Sequence, residues 1–341
     1  MKNNHIDIRE LARLLDLSIT TVSRVLNGKS KSYRISEKTA ERVIKTAKEY
    51  NYVPSQIARS LKTDKTGTIG LIIPDISNPF FADIAASIER EARAKEFSLI
   101  LCDSEGHISI EKELVVLLQR HKVEGIIIAP IGINFDHVVQ VYKSGLPVVI
   151  IDRGSPDEEF HSVTSDNYQG GYDATNYLIS MGHKRIACIQ GIPGSQVNEE
   201  RVQGYKDALA DNGIQPDKNL IMGHDFTIEN GYRQIKILYS SKNLATAIFS
   251  LGNLITLGTF KAFNEMKMKV PDDVSLISFD EQPHSALLGT PMTTINQQKS
   301  EMGMLSVDIL IRSINNKEFR NRPVNIKLKT NLIIRSSVRK V

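Results

Sequence analysis

The sequence has little of what disulfide-stabilised or membrane proteins need. Its 341 residues include two cysteines, Cys102 and Cys188, and no tryptophan. Both cysteines lie in apolar, strand-like runs, so we expect reduced, buried thiols. No apolar run approaches the roughly 18 residues that a membrane span needs. The first residues, MKNNHIDIRE, are charged where a secretory signal would be apolar. These absences predict a cytoplasmic protein with no membrane partner.

Motifs of the common enzyme classes are also missing. No G-x-G-x-x-G follows the first strand-like run, and the chain has no P-loop and no G-x-S-x-G elbow. The eight histidines are scattered, without a His/Cys cluster at metal-ligand spacing. We therefore expect no enzymatic activity, no cofactor and no metal site.

Acidic residues are scarce in one part of the chain only. Residues 1–65 contain 14 Lys/Arg against 7 Asp/Glu, a net charge of +7, whereas the remainder has a net charge of −3. The stretch SITTVSRVLNG, residues 18–28, has no acidic residue. This asymmetry favours a polyanionic partner for the N-terminal part, the alternative being an ordinary solvated basic surface.

The hydrophobic pattern changes after about residue 66. Before that point the pattern predicts helices only, including one over SEKTAERVIKTAKEYNY that begins at the cap Ser36 and buries Val43, Ile44 and Ala47. Afterwards, β-branched runs such as TIGLIIPD, PVVIID and VSLISFD alternate with amphipathic helices. This alternation predicts parallel sheets covered on both faces, and the runs are too many for one ordinary sheet, so we expect two lobes.

The N-terminal helices have helix-turn-helix spacing. IDIRELARLL is followed by a tight turn at Asp16 and a second helix that Ser18 can cap. On the outward face, Arg24 suits guanine, Ile19 a thymine methyl and Thr20 several bases. Short polar side chains of the kind used on phosphates follow them: Thr21, Ser23 and Asn27. The alternative is an ordinary helical hairpin.

Several motifs in the same order resemble the lac repressor (LacI/GalR) family of bacterial transcription regulators. They are SITTVSRVLNG, ISEKTAERVIKTAKEYNYVPSQIARSLKT, IGLIIPDISNPFFADIAASIE, LISMGHKRIACIQG, RVQGYKDAL, VSLISFDE and PMTTINQ. Together they extend over essentially the whole chain. The resemblance implies a homodimer, with a tetramer left open, that binds double-stranded, pseudo-palindromic operator DNA through two recognition helices.

The resemblance also assigns residues to DNA. SQIARSLKT would be a hinge helix in the minor groove, with Leu61 as the wedge between base pairs and Ala58 small enough for close helix pairing. Phosphate contacts would come from Tyr33, Arg34, Ser36 and Thr39. The full predicted DNA-binding set is Ser18, Ile19, Thr20, Thr21, Ser23, Arg24, Asn27, Tyr33, Arg34, Ser36, Thr39, Ala58 and Leu61.

The larger part of the chain resembles periplasmic sugar-binding proteins, which implies an effector in the cleft between the lobes. The motif NPFF follows the first strand, where open α/β sheets bind ligands. Charged groups would fix hydroxyl pairs while aromatic rings cover the apolar face of a sugar. The implied effector-binding residues are Asn78, Phe80, Phe81, Asp152, Arg153, Arg201, Phe226, Asn253, Asp280 and Gln297.

The sequence departs from the pattern of relatives in three places. Asp16 stands where a turn glycine is common. Gly252 and Asn253 replace a usual Asn-Asp pair, so the effector either fills space over Gly252 or presents different polar groups. Ser195 and Val197 do not match the base-contacting pair of purine-sensing relatives, which favours a sugar-like effector.

The predicted fold class is an N-terminal all-α helix-turn-helix domain plus a two-lobed, type I periplasmic-binding-protein-like α/β domain with doubly wound parallel sheets. The predicted divisions are residues 1–53 for the first domain, 54–66 for the hinge and 67–341 for the second. The N-lobe would comprise about 67–162 and 292–323, and the C-lobe about 163–291 and 324–341. The predicted function is effector-controlled, sequence-specific repression. Alternatives are a sugar-binding protein without DNA function, an activator, and a co-repressed regulator that senses a nucleobase-like ligand.

Overall fold

The computed structural model describes residues 6–52, 65–132, 135–154, 160–240 and 245–341. The chain divides into two compact units, residues 1–66 and 67–341. Most of the predicted hinge, including Ala58 and Leu61, lies outside the described residues. Within the described ranges, no helix combines the length and apolarity needed to cross a membrane.

The first unit packs three α-helices around a small apolar core. These are α1 (Ile8–Leu15), α2 (Ile19–Leu26) and α3 (Glu37–Glu49), with a 3-10 helix at Lys31–Tyr33. The buried core consists of Leu11, Ala12, Leu15, Val22, Val25, Val43 and Ala47. Ile44, predicted to be buried, is 55% exposed, because it follows Val43 by one position and so lies about 100° around the helix from it. That prediction was wrong.

Side-chain caps fix where these helices begin. Asp7 accepts from the amides of Arg9 and Glu10, and the Glu10 carboxylate accepts from the Asp7 amide, forming a capping box. At the other end of α1, Asp16 adopts a left-handed backbone with φ 50°. Aspartate tolerates this region better than most residues, so the turn forms without the common glycine.

The second unit contains two six-stranded sheets. The first has strand order β11-β5-β4-β3-β1-β2 and is parallel throughout. Its strands are β1 (Thr68–Ile73), β2 (Ser98–Asp103), β3 (Ile126–Ile128), β4 (Val148–Asp152), β5 (His161–Ser165) and β11 (Asn325–Leu328). Its helices are α4 (Pro79–Ala94), α5 (Ile108–Arg120), α6 (Asp136–Lys143), α11 (Lys299–Asn315) and α12 (Lys317–Arg320).

The second sheet has strand order β12-β10-β9-β8-β6-β7, in which only the pairing of β10 with β12 is antiparallel. Its strands are β6 (Ile186–Ile189), β7 (Ile221–Met222), β8 (Ala247–Ser250), β9 (Ser275–Phe279), β10 (Thr293–Asn296) and β12 (Asn331–Ile333). Its helices are α7 (Asn167–Ser180), α8 (Gln196–Asp211), α9 (Ile228–Ser240) and α10 (Asn253–Met266), with a 3-10 helix at Lys218–Leu220.

The chain crosses between the two lobes later than the predicted boundaries. Thr293 pairs with Ile277, which keeps β10 in the second lobe, where the prediction had it in the first. Asn325 pairs with Ser162, which keeps β11 in the first lobe rather than the second. In each case the backbone hydrogen bonds between strands place the change of lobe a few residues later than the sequence pattern did. The predicted boundaries at 162, 291 and 323 are therefore corrected to the connections after β5, β10 and β11.

Both cysteines are free and buried in the second unit. Cys188 lies in β6 with no solvent exposure, and burial raises the pKa of its thiol. Cys102 lies in β2, and burial raises the pKa of its thiol as well. Because a thiol with a raised pKa yields little thiolate, both side chains act as apolar core residues.

Candidate functional sites

Helix α2 presents an exposed, non-acidic face. Val22 and Val25 are buried against the other helices, whereas Ile19 is 45% exposed and Thr20 is also exposed. Ser18 caps the helix, since its Oγ accepts from the Thr21 amide at 3.0 Å. This leaves the N-terminal residues of α2 free to meet a partner, as base reading by a recognition helix requires.

Several predicted phosphate contacts form local hydrogen bonds within the unit. Oγ of Ser18 lies 2.8 Å from Oγ1 of Thr21, and Ser36 and Thr39 repeat this arrangement at 2.7 Å at the start of α3. The Asn27 side chain donates to the Ser23 carbonyl at 2.7 Å. These hydroxyl pairs lie at helix N-termini, where backbone amides and the helix dipole also favour an anion.

Arg24 lies on the same helix and stacks on an aromatic ring. The centre of its guanidinium is 3.8 Å from the centroid of the Tyr33 ring. Tyr33 belongs to the 3-10 helix and is 49% exposed, and Arg34 follows it in a left-handed backbone with φ 51°. Eleven of the thirteen predicted DNA-binding residues are therefore placed in the first unit, and Ala58 and Leu61 lie outside the described residues.

All ten side chains that sequence resemblance assigns to the effector line one cavity between the lobes. The empty space in this cleft is about 460 Å³ when the solvent at its mouth is included. Helix α4 supplies Phe80 and Phe81, whose rings meet edge to face at 5.1 Å, and Asn78, which caps the helix by accepting from the Phe80 amide at 3.1 Å. Three further residues line the same cavity: Val197 and Gly252, which the sequence had placed near the effector as departures from the pattern of relatives, and Leu254, which was not predicted.

Arg201 is the buried cation of this cavity. It is 3% exposed, donates to Asn167 Oδ1 at 2.9 Å and to the Leu251 carbonyl at 2.6 Å, and lies 3.6 Å from the Phe279 ring centroid. Burial lowers the pKa of its guanidinium, while Asp280 and Asp152 favour the charged form. Its remaining donor capacity therefore faces a water-poor site, where charged hydrogen bonds are strong.

Two carboxylates, one at the end of a strand in each lobe, line the cavity and have unusual backbone conformations. Asp152 ends β4 with φ 63°, and Asp280 follows β9 with φ 76°. Non-glycine residues seldom adopt such conformations, and they concentrate at functional sites. Burial raises the pKa of Asp152, and nearby Arg153 and Arg201 oppose that rise. Arg153 is itself fixed by donating to the Pro130 carbonyl at 2.7 Å.

Asp280 is oriented by the neighbouring polar groups. It accepts from Gln297 Nε2 at 2.5 Å and from the Asn253 amide at 3.3 Å. Asn253 also donates from its side chain to Asn78 Oδ1 at 2.8 Å, which joins the two lobes directly. Gln297 is 3% exposed, and within the described residues its Oε1 has no hydrogen-bond partner. A buried acceptor in this state requires a donor from a ligand or water.

Phe226 occupies the space over Gly252. A Cβ built on Gly252 would lie 3.2 Å from Phe226 Cδ1, and one built on Gly191 would lie 2.2 Å from the same ring. Gly191 and Gly252 thus leave room for the Phe226 ring, and the ring fills that space. Of the two explanations offered for the missing Asn-Asp pair, space over Gly252 for a larger effector is the one this packing disfavours.

The architecture defines a class: a helix-turn-helix unit followed by a two-lobed binding domain with one lined cleft. Residues 7–55 match the model of "Bacterial regulatory proteins, lacI family", and residues 66–336 match "Periplasmic binding proteins and sugar binding domain of LacI family". The chain belongs to the LacI family of bacterial regulatory proteins. It is a DNA-binding transcription regulator with an effector-binding domain, not an enzyme.

Individual relatives are similar over nearly the whole chain. The transcriptional repressor PurR of Photobacterium profundum is 32% identical over 333 residues, covering 97% of this chain and 98% of the relative. A cellobiose complex of the transcriptional regulator CelR is 28% identical, with a TM-score of 0.74 and coverage of 97% and 99%. The lac repressor dimer bound to operator and the anti-inducer ONPF has a TM-score of 0.86 at 24% identity, covering 98% of this chain and 99% of that one, a likeness in fold.

Proposed function

We propose that this protein is a transcriptional repressor whose operator binding is controlled by a sugar-type effector in the inter-lobe cavity. The observation that supports this proposal most directly is that both aromatic and charged side chains line the cavity. Aromatic rings cover apolar surface, two carboxylates and two guanidinium groups lie among them, and Gln297 Oε1 has no hydrogen-bond partner among the described residues. Vicinal hydroxyls donate and accept at once, so they can satisfy carboxylates and guanidinium groups together.

A nucleobase-like effector is the competing proposal, and the wall around Val197 argues against it. Val197 lines the cavity with an apolar side chain. The neighbouring Ser195 hydroxyl donates to the Ile192 carbonyl at 2.7 Å, so it is engaged within the protein. A flat base needs hydrogen-bonding partners at its edge, and this wall supplies none from those two side chains.

The effector proposal is tested by calorimetric titration of the full chain with monosaccharides, disaccharides and nucleobases. We expect one sugar to bind and to raise the unfolding temperature. Asp280→Asn keeps the shape but loses a charged acceptor, so its affinity for that sugar falls by about 10- to 100-fold. Gly289→Ala is the matched control, since a Cβ there meets nothing within 4 Å. Tight binding of a nucleobase with no response to any sugar contradicts the sugar proposal.

The DNA-binding proposal is tested by selecting duplexes from a random-sequence pool with the full chain. We expect the protein to bind a pseudo-palindromic operator with an affinity that falls steeply with salt. The reason is that its Lys and Arg side chains displace counterions from the phosphates. Arg24→Ala is expected to lose about 1–3 kcal/mol and to relax the preference at one base pair per half-site. A uniform loss across all sequences would be inconsistent with base reading by Arg24.

We also propose that the protein acts as a homodimer in the bacterial cytoplasm. Support comes from the edge of the first sheet, where β2 has no outer neighbour among the described strands and large apolar side chains are exposed on β2 and α5. These are Leu101, Val116 and Leu117. Sedimentation equilibrium of the wild type should give twice the chain mass, and Leu117→Glu should lower it, whereas a monomeric wild type contradicts the proposal.

A further inference from the structure

The stack between Arg24 and Tyr33 joins a predicted base-reading residue to a residue outside the recognition helix. Arg24 is in the last turn of α2, and Tyr33 is nine residues later in the 3-10 helix. The 3.8 Å separation is that of direct cation–π contact. We propose that Tyr33 is a specificity-determining positioning residue, which holds the Arg24 guanidinium for base recognition.

The contact restricts Arg24 without engaging its donors. Among the described residues, no hydrogen bond and no ion pair involves the Arg24 guanidinium, which contacts the face of the Tyr33 ring. Arg42 in the same unit differs, because its guanidinium donates to the Leu15 carbonyl. Stacking therefore limits the orientations of a long, flexible side chain, while all five N–H groups remain available for a base.

The backbone that presents Tyr33 is itself held by hydrogen bonds. The Tyr33 amide donates to the Lys29 carbonyl at 3.2 Å, and the Lys29 amide donates to the Arg24 carbonyl at 2.9 Å. The Ile35 amide closes the segment by donating to the Ser30 carbonyl at 2.9 Å. The ring is thus connected to the end of α2 through the main chain, so its place over Arg24 does not depend on a loose loop.

The physical benefit of this arrangement lies in the order of events. A free arginine loses much side-chain freedom when both of its terminal nitrogens bind guanine, and that loss opposes binding. An arginine already stacked has lost part of that freedom before DNA arrives. Its contribution to discrimination between bases is correspondingly larger, because a misplaced guanidinium forms one hydrogen bond where an aligned one forms two.

This inference rests on the proposed DNA function, and it assigns Tyr33 a role different from the phosphate contact implied by family resemblance. The two roles use different parts of the side chain. Positioning needs the ring face, whereas a phosphate contact needs the hydroxyl. Tyr33→Phe retains the ring and removes the hydroxyl, while Tyr33→Ala removes both.

The experiment measures binding of the full chain to a selected operator and to copies substituted at each base pair. We expect Tyr33→Ala to weaken operator binding by about two- to fivefold and to reduce discrimination at the base pair that Arg24 reads. Tyr33→Phe should keep wild-type discrimination. In an Arg24→Ala background, Tyr33→Ala should cause no further loss of discrimination.

The control is Tyr50→Ala, which removes another exposed tyrosine of the same unit. It should leave discrimination unchanged, and thermal unfolding should show that every variant folds. The inference is overturned if Tyr33→Phe is as impaired as Tyr33→Ala, or if Tyr33→Ala weakens all sequences equally. If the wild type selects no operator, the proposed DNA function fails instead, and the two failures are distinct.

Discussion

At the scale of single residues, small and buried side chains decide the chemistry of the cavity. Gly252 has an extended backbone with φ −177°, a conformation that any residue can adopt, so the backbone does not require a glycine there. Its role is spatial, because Phe226 lies directly over it. Asp152 and Asp280, in contrast, sit in the left-handed region, which directs their carboxylates from strand ends into the cleft.

The first residue-scale prediction concerns this packing. Gly252→Ala places a methyl group 3.2 Å from Phe226 Cδ1, so the ring must shift by a few tenths of an ångström. Overpacking of this kind costs about 1–3 kcal/mol, and we expect most of it to appear as weaker effector binding. Calorimetry should show this loss, with Gly289→Ala unchanged. Wild-type affinity in Gly252→Ala would mean that Phe226 does not shape the site.

A second residue-scale prediction follows from His183, which is buried between Thr246 Oγ1 at 2.9 Å and the Arg339 carbonyl at 3.1 Å. Burial lowers its pKa below the ordinary value of 6.5. A lowered folded-state pKa means that its contribution to stability is complete above about pH 6.5 and is lost as the pH falls through the folded-state pKa.

The free energy of unfolding of the second unit should therefore decrease as the pH is lowered from about 6.5. Denaturant titrations at a series of pH values should show that the free energy of unfolding declines less steeply with falling pH in His183→Gln than in the wild type. Some decline should persist in that variant, because burial also lowers the pKa of His161. Identical pH profiles for the two proteins would exclude His183 as a source of the effect.

At the scale of elements, local sequence signals set most helix and strand positions. Caps such as Asp7 and Ser18 lie beside the amides that they satisfy, so their effect is visible in a short stretch of sequence. Strand partners are different. The sequence pattern assigned β10 and β11 to opposite lobes but each to the wrong one, because pairing joins residues far apart in the chain.

The element-scale prediction concerns the hinge helix that sequence resemblance implies. Leu61→Ala removes the side chain expected to wedge between base pairs and to kink the duplex, at an unstacking cost that the wider protein contact recovers. Bending of a selected operator, measured by electrophoretic phasing or fluorescence energy transfer, should decrease while the recognition preference of α2 remains. An unchanged bend angle would reject the wedge assignment.

At the scale of the whole molecule, the proposed function couples two separate binding events. The lobes are joined across the cleft by the bond from Asn253 to Asn78 Oδ1, and Lys327 lies 3.6 Å from Glu200. An effector that contacts both lobes favours one arrangement of them, and that preference is the source of control over DNA binding.

Thermodynamic linkage makes this coupling testable. The factor by which the effector changes operator affinity must equal the factor by which the operator changes effector affinity. Paired titrations of the full chain should give matching factors. Arg24→Ala should weaken operator binding and leave effector affinity without DNA at its wild-type value. If the operator and the effector both bind tightly and neither changes the affinity for the other, effector control is refuted.

The sequence by itself determined the family through its ordered motifs and the two-part organisation through the change in hydrophobic pattern. Through that family resemblance it also indicated ten of the thirteen residues that line the cavity. Only the tertiary structure decided how Phe226 fills the space over Gly252, why Gln297 has an unpartnered oxygen, and that Tyr33 stacks on Arg24. Each of these depends on which residues from different elements come together, and residues adjacent in the chain do not encode that. Their geometry arises from the packing of whole elements, and so it appears only once the chain is folded.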